Sequence, residues 1–86
     1  MKLARHVTLT ETANGHVLLD TRRGTYWHLN QSGYAIVQGL LEGKSLTELS
    51  RIVAETGNVD RERAVNDCSA FLAELLRAHL VKGHVK

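Results

Sequence analysis

The sequence changes from strand patterns to helix patterns at Gly24-Thr25-Tyr26-Trp27-His28-Leu29-Asn30, a stretch that holds the only Trp and one of the two Tyr residues. Its aromatic residues favour an extended strand over 25–29. Because helical patterns begin directly after it, the sequence offers no later strand to pair with its far side. An aromatic strand with a free edge promotes aggregation unless something covers that edge. We therefore expect this strand to bind another polypeptide.

Two earlier segments have strand patterns of their own. Residues 6–10 alternate apolar and polar side chains, and residues 16–21 form a short apolar run with polar flanks, which suits a central strand. Turn residues separate the strands at Ala13-Asn14-Gly15 and at Thr21-Arg22-Arg23-Gly24. Connections this short favour an antiparallel sheet in sequence order, so the strand over 25–29 should lie at an edge.

Three helices should follow the strands. Asn30 is a good N-cap for a first helix over about 31–42, because its side chain can accept hydrogen bonds from first-turn amides. Ser45-Leu46-Thr47-Glu48 has the capping-box pattern that opens a second helix, which Gly57 ends. Asp60 caps a third and longest helix, whose core stripe should follow Val65, Cys68, Leu72, Leu75 and Leu76. The order β-β-β-α-α-α predicts one α+β domain over residues 1–86, a three-stranded antiparallel sheet with helices on one face.

The composition is ordinary for a globular protein, with 43% hydrophobic and 23% charged residues and a net charge of +2. This charge is too small to indicate nucleic acid by itself. The single cysteine, Cys68, excludes an intramolecular disulfide and fits a reducing compartment. Neither a signal peptide nor a run of about 18 apolar residues is present. We therefore expect a cytoplasmic protein with no membrane partner.

The sequence gives little support for an enzyme or a metal site. Five histidines lie at positions 6, 16, 28, 79 and 84, and their spacing places no two of them one turn apart on a helix. Cys68 falls on an apolar helix face, where a small buried side chain is the usual role. Phosphate-binding loops, dinucleotide fingerprints and nucleophile elbows do not occur. We expect neither catalytic activity nor a cofactor.

A winged-helix DNA-binding protein is an alternative for a chain with these elements. Its third helix would enter the major groove, and the exposed first half of that helix carries Asp60, Glu62 and Asp67 beside Arg61 and Arg63. Recognition helices usually gain affinity from net positive charge. The acidic residues make nucleic acid an unfavourable partner.

A peptide-binding module agrees better with a free strand edge. Added strands gain affinity from main-chain hydrogen bonds and specificity from pockets for alternate side chains. The third helix can supply the opposite wall of a groove through residues beside its core stripe. Because alternate strand residues share a face, Trp27 and Leu29 should pack in the core and Tyr26 and His28 should face away. The expected peptide contacts are Thr25, Tyr26, Trp27, His28, Leu29, Ala64, Asp67, Cys68, Ala70, Phe71 and Glu74.

Four segments together resemble the PqqD-like family. They are Tyr26-Trp27-His28-Leu29-Asn30, Leu40-Leu41-Glu42-Gly43-Lys44-Ser45-Leu46-Thr47-Glu48-Leu49, Asp67-Cys68-Ser69-Ala70-Phe71-Leu72-Ala73-Glu74-Leu75 and the closing Leu80-Val81. Each motif is weak alone, but their order and spacing match the family over about residues 15–82.

The resemblance implies a fold of three strands and three helices related to a winged helix. It also implies a role as a recognition element for ribosomally made, post-translationally modified peptides. In such proteins the leader segment of a precursor peptide adds to the third strand and packs against the third helix. This implication agrees with the free-edge argument made from the residues.

Two kinds of stand-alone family member remain open. The short chain and the Tyr-Trp strand are most similar to the discrete leader-binding proteins of lasso-peptide clusters. These serve a separate leader peptidase of the transglutaminase-like cysteine protease type. The other kind, PqqD, serves a radical-SAM maturase in cofactor biosynthesis.

Overall fold

The computed structural model describes residues 2–83, so His84 lies outside the described residues. The elements in chain order are β1 (Lys2–Leu3), β2 (Val7–Thr12), β3 (Gly15–Asp20), β4 (Thr25–Leu29), α1 (Gln31–Leu41), α2 (Leu46–Gly57), α3 (Arg61–Arg77) and β5 (Val81–Lys82). Strands β2 to β4 are followed by the three helices, which confirms the predicted α+β fold.

The main sheet is antiparallel in the order β2-β3-β4, so β4 is an edge strand as predicted. Gly24 adopts a φ of +70° in the turn before β4, a conformation that glycine takes without a steric penalty. The Asp20 carboxylate supports this turn by accepting hydrogen bonds from the amides of Arg22 and Arg23 at 3.0 and 3.1 Å. The turn thereby fixes where β4 begins.

The predicted helix caps are confirmed. The side chain of Asn30 accepts a hydrogen bond from the Gly33 amide at 2.7 Å, which starts α1 directly after β4. Ser45 and Glu48 form the capping box of α2, and the Asp60 side chain caps α3 through the Arg63 amide. Each cap satisfies an amide that the helix itself leaves unpaired.

One face of the sheet packs against the helices. Leu18 in the central strand is fully buried, and Leu29 at the end of β4 is 9% exposed. Both join a core cluster with side chains from all three helices, such as Val37, Leu49 and Leu75. Trp27 is partly buried and packs against this cluster, as the alternation along the strand predicts. The core therefore holds β4 from one face only.

The core stripe of α3 differs from the prediction at three positions. Ala64, expected to offer surface, is fully buried, whereas Val65 and Leu76, expected in the core, are 37% and 42% exposed. The buried stripe follows Ala64, Cys68, Leu72 and Leu75, close to the helical period. Cys68 in this stripe lies beside Ser50 of α2, whereas the larger Val65 faces outward.

A second, two-stranded sheet was not predicted. In it β1 pairs antiparallel with β5, and Lys2 lies opposite Lys82. The Ala4 amide donates to the Leu80 carbonyl at 2.9 Å, which extends the pairing by one bond. Strands of two residues are too short to leave a periodic signal in the sequence. This ribbon connects the start of the described chain to its end.

Candidate functional site

The outer edge of β4 is unpaired in the part of the chain that the structure describes. Its inner edge pairs with β3 from Asp20↔Thr25 to His16↔Leu29. Every second amide and carbonyl of β4 therefore points away from the sheet, where another strand could pair with it. The outer edge of β2 is also unpaired within residues 2–83, so the surroundings of the two edges must distinguish them.

A cleft of about 620 Å³ adjoins the Leu29 end of β4. Its walls come from β4, the first turns of α1, the end of α2 and the middle of α3, and no residue of β2 lines it. The lining residues are Asn14, His28, Leu29, Asn30, Ser32, Gly33, Ile36, Val53, Gly57, Val59, Asp67 and Phe71. The β4 edge therefore combines free backbone groups with an adjacent concave surface.

Two glycines, Gly33 and Gly57, line this cleft. A Cβ atom at Gly33 would lie 3.5 Å from Cζ of Phe71 and 3.2 Å from Oδ1 of Asn30. At Gly57, a Cβ atom would lie 3.6 Å from Oγ of Ser32. The ring of Phe71 therefore lies at van der Waals distance from the Gly33 position in the first turn of α1, and the cleft leaves space beside β4. An apolar peptide side chain could enter this space.

The cleft is apolar in its depth and polar at its rim. Ile36, Val53 and Leu29 supply buried apolar surface. Asp67 lies at the rim, exposed, with its carboxylate 3.7 Å from Nε of Arg63. An exposed ion pair of this kind contributes little to stability, so the Asp67 carboxylate remains available to a ligand donor.

The face of β4 that points away from the helices carries Tyr26 and His28. Tyr26 is 61% exposed, and its ring meets the His28 ring edge-on with 5.2 Å between ring centroids. Both residues belong to the strand that carries the free edge. A strand added to β4 would place alternate side chains beside them.

Four of the sequence-predicted contact residues meet in the cleft: His28, Leu29, Asp67 and Phe71. The other β4 residues in the predicted set, Thr25, Tyr26 and Trp27, lie along the same strand but do not line the cleft. Ala70 and Glu74 are exposed on α3 outside it.

Two predicted contacts are buried beneath this surface. Ala64 and Cys68 are fully buried, so neither side chain presents surface to a peptide in this structure. Burial raises the pKa of the Cys68 thiol, and the neighbouring Ser50 hydroxyl offsets this only in part. A buried thiol with a raised pKa is a poor nucleophile, which agrees with a packing role.

Sequence reasoning missed most of the α1 and α2 residues of the cleft. Asn30 and Gly57 were assigned only to helix ends, and Ser32, Gly33 and Val59 were not singled out. The available signal was the concentration of small residues near helix ends, since such residues allow close backbone approach. Their convergence depends on how the helices pack, which local patterns do not specify.

Metal binding and membrane insertion have no support within residues 2–83. No three His, Cys, Asp or Glu side chains among these residues converge as metal ligands would. No described helix is both long and apolar enough to cross a membrane.

Comparisons with known proteins agree with the geometry. The family model of coenzyme PQQ synthesis protein D (PqqD) matches residues 15–81. The solved structure of a lasso peptide synthetase B1 complexed with the leader peptide is similar over 95% of this chain and 96% of that chain, with 32% identity and a TM-score of 0.86. The structure of TbiB1 in complex with the TbiA(beta) leader peptide is similar over 100% of both chains, with 30% identity and a TM-score of 0.82. A comparison with curated proteins gave no significant match.

Proposed function

The chain belongs to the PqqD family, and we propose that it binds the leader segment of a ribosomally made precursor peptide as an additional strand along β4. The observation that carries this proposal is the free edge of β4 beside a cleft that reaches Phe71 and Asp67 on α3. Both similar solved structures contain a leader peptide, and both extend over nearly the whole chain.

Two kinds of contact would hold the leader. The outward amides and carbonyls of Thr25–Leu29 would pair with its backbone, which gives affinity without dependence on sequence. The cleft would take an apolar leader side chain between Leu29 and Phe71, which gives specificity. A disordered leader loses conformational entropy when it becomes a strand, so we expect an interface at or below the standard range of roughly 1,200–2,000 Å².

The proposed role is that of a non-catalytic peptide chaperone in lasso-peptide biosynthesis. Cys68 is the sole thiol of the chain and is buried, so it is a poor candidate for a protease nucleophile. Removal of the leader would then fall to a separate enzyme, a transglutaminase-like cysteine leader peptidase. The likeness to lasso peptide synthetase B1 supports a role in lasso-peptide biosynthesis.

A second candidate keeps the same site and changes the enzyme that it serves. The matching family model describes PqqD, a coenzyme PQQ synthesis protein. A chaperone of this type would present its peptide to a radical-SAM maturase. Pull-down with each class of enzyme, in the presence of the leader, distinguishes the two roles.

A titration followed by Trp27 fluorescence tests the proposed function. The probes are the leader of the precursor peptide encoded beside the chain's gene, the TbiA(beta) leader peptide and a duplex DNA. We expect saturable binding of the first probe with only mild salt dependence, because backbone and apolar contacts dominate. Binding of DNA alone, with an affinity that falls steeply as salt rises, would contradict the proposal.

A further inference from the structure

A second cleft, of about 410 Å³, lies where the β1–β5 ribbon meets the main sheet. Its lining residues are Ala4, Arg5, His6, Arg22, His79, Val81 and Lys82. Five of these seven side chains are Arg, Lys or His, and none is acidic. The net charge of the whole chain is only +2. The fold, and not a basic composition, therefore concentrates these basic side chains in the cleft. We call this surface the basic cleft.

The cations of the basic cleft are largely unpaired. Among residues 2–83, no carboxylate lies within ion-pairing distance of Arg5, Arg22 or Lys82. The Asp20 carboxylate lies 3.8 Å from Nε2 of His6. Asp20 is 1% exposed and is already engaged by two turn amides, so it does not neutralise the cleft surface.

Two features place positive charge here at a cost to the fold. Lys2 lies directly opposite Lys82 in the β1–β5 pairing, and like charges in that position repel. His79 has a φ of +60° at the end of α3, where its amide donates to the Leu76 carbonyl and the Leu80 amide donates to the Leu75 carbonyl. Glycine is the favoured residue at this position of such a helix end. Histidine there costs backbone strain and adds an imidazole to the cleft.

The basic cleft is separate from the peptide cleft. His6 and Arg22 adjoin the end of the sheet where Val7 pairs with Asp20, whereas the peptide cleft adjoins the end where His16 pairs with Leu29. The five residues of β4 span about 15 Å between these ends. Two ligands can therefore occupy the two clefts at the same time.

We propose that the basic cleft docks an acidic segment, a short run of Asp or Glu side chains, on a partner protein. Cations clustered in a concave surface raise the local potential and attract a complementary chain. Arg5 and Arg22 can each bind a carboxylate in a bidentate manner. The assignment of this segment to the maturation enzyme rests on the proposed function. The acidic character of the segment follows from the chemistry of the cleft and does not depend on that function.

A protein segment suits this cleft better than nucleic acid. The cations surround a small concavity and do not extend as a stripe along a helix, as phosphate contacts on a duplex require. The exposed acids of α3, such as Glu62 and Asp67, would also repel a long polyanion.

The test measures binding of a fluorescein-labelled oligoglutamate peptide by fluorescence anisotropy at low salt. The full chain is compared with the double variant Arg5→Gln/Arg22→Gln and with a control of equal charge, Arg51→Gln/Arg61→Gln. We expect the cleft variant to lose about tenfold in affinity, equivalent to about 1.4 kcal/mol, and the control to change less than twofold. An equal loss in both would show a net-charge effect and overturn the proposal, as would no measurable binding to the parent chain.

His79→Gly separates binding from folding. Glycine relieves the left-handed strain, so the variant should melt at or above the temperature of the parent while it binds oligoglutamate more weakly. If His79→Gly binds oligoglutamate as tightly as the parent, His79 does not contribute to binding in the cleft, and the proposal is contradicted. A single-stranded oligonucleotide of equal charge is the second probe, and tighter binding of it at the cleft would overturn the assignment to protein.

The leader titration of the same double variant keeps the two proposals distinguishable. We expect its leader affinity to equal that of the parent, because the clefts are at opposite ends of the sheet. If the parent binds no leader, the proposed function fails while the oligoglutamate result stands. If leader affinity falls together with oligoglutamate affinity, the clefts are one site and this inference is wrong.

Discussion

Trp27 lies directly opposite Leu18 in the register of β3 and β4, and Leu18 is fully buried in the core. The indole is therefore directed to the helix side of the sheet, where it packs against the core cluster. Its neighbour Tyr26 is on the other face and is 61% exposed. The aromatic pair thus has two roles, and Trp27 anchors the edge strand that a peptide would join.

Replacement of Trp27 should test this anchoring role. We expect Trp27→Ala to lower the free energy of unfolding by about 2 kcal/mol, below the usual range for a fully buried ring because Trp27 is only partly buried. Tyr26→Ala is the matched control on the same strand and should change stability by less than about 0.5 kcal/mol. Urea denaturation followed by circular dichroism measures both. Equal effects would contradict the anchoring role of Trp27.

Phe71→Ala and Asp67→Ala should weaken leader binding more than they weaken the fold. Phe71 forms a wall of the cleft, so its loss should lower leader affinity about tenfold, as expected for a buried aromatic contact. Isothermal titration calorimetry measures the affinity, and thermal melting measures the fold. Val65→Ala and Glu62→Ala are controls on exposed positions of the same helix. A variant that loses stability but keeps its affinity would assign its residue to structure.

Gly33 and Gly39 are both buried glycines of α1. We expect an alanine substitution to have a different effect at each position. At Gly33 the added methyl group would narrow the cleft against Phe71, so leader affinity should fall while helix propensity offsets any loss of stability. At Gly39 the methyl group would overlap the Leu49 side chain, so Gly39→Ala should lower stability. The same melting and titration experiments measure both variants. A reversed pattern would show that Gly33 does not border the binding site.

We expect the ionisation of Asp20 to make the free energy of unfolding depend on pH. Burial alone would raise its pKa, but the Arg23 and Arg22 amides and the His6 ring together hold it below its ordinary value. The ionised form therefore stabilises the fold above the ordinary carboxyl pKa of about 3.9. This contribution is lost as the pH falls through the lower folded-state pKa.

The isosteric change Asp20→Asn should consequently lower stability at neutral pH. The difference between parent and variant should narrow as the pH falls below about 4, since the parent then loses its charge as well. Thermal melting across this pH range measures the difference. A difference that stays constant with pH would show that the Asp20 charge does not stabilise the turn.

Local signals in the sequence were sufficient for most of the fold. Asn30, Ser45 and Asp60 are cap residues whose role depends on adjacent amides only, and the structure confirms all three. The strand order followed from short turns. The β1–β5 ribbon was beyond reach because its pairing joins residues near opposite ends of the chain through two-residue strands. Such long-range contacts leave no period in the sequence.

The candidate site could be predicted only in part, because long-range packing also decides which of its residues come together. The edge strand and the Asp67 and Phe71 positions were identified, and the structure brings His28 and Leu29 together with them in one cleft. The rotation of α3 was wrong at Ala64, since this small residue is fully buried and Val65 next to it is exposed. Helical period alone allows a stripe to shift by one residue, and packing volume selects between the alternatives.

Strand addition along β4 requires outward-facing backbone amides, and proline substitution tests this requirement. Proline removes the amide donor, so Trp27→Pro or His28→Pro should abolish leader binding, whichever of these alternating amides points outward. The variant whose amide pairs with β3 should instead destabilise the sheet. Survival of the fold with full leader affinity in both variants would contradict an edge-pairing mode.

Amide hydrogen exchange measures strand addition along β4 most directly, because NMR resolves the exchange of each residue. On addition of the leader peptide, every second amide within Thr25–Leu29 should become protected, because it acquires a hydrogen-bond partner. The amides of β2, which form the other free edge, serve as the internal control and should not change. Protection confined to β2, or saturating leader binding that leaves the β4 amides unprotected, would contradict the account.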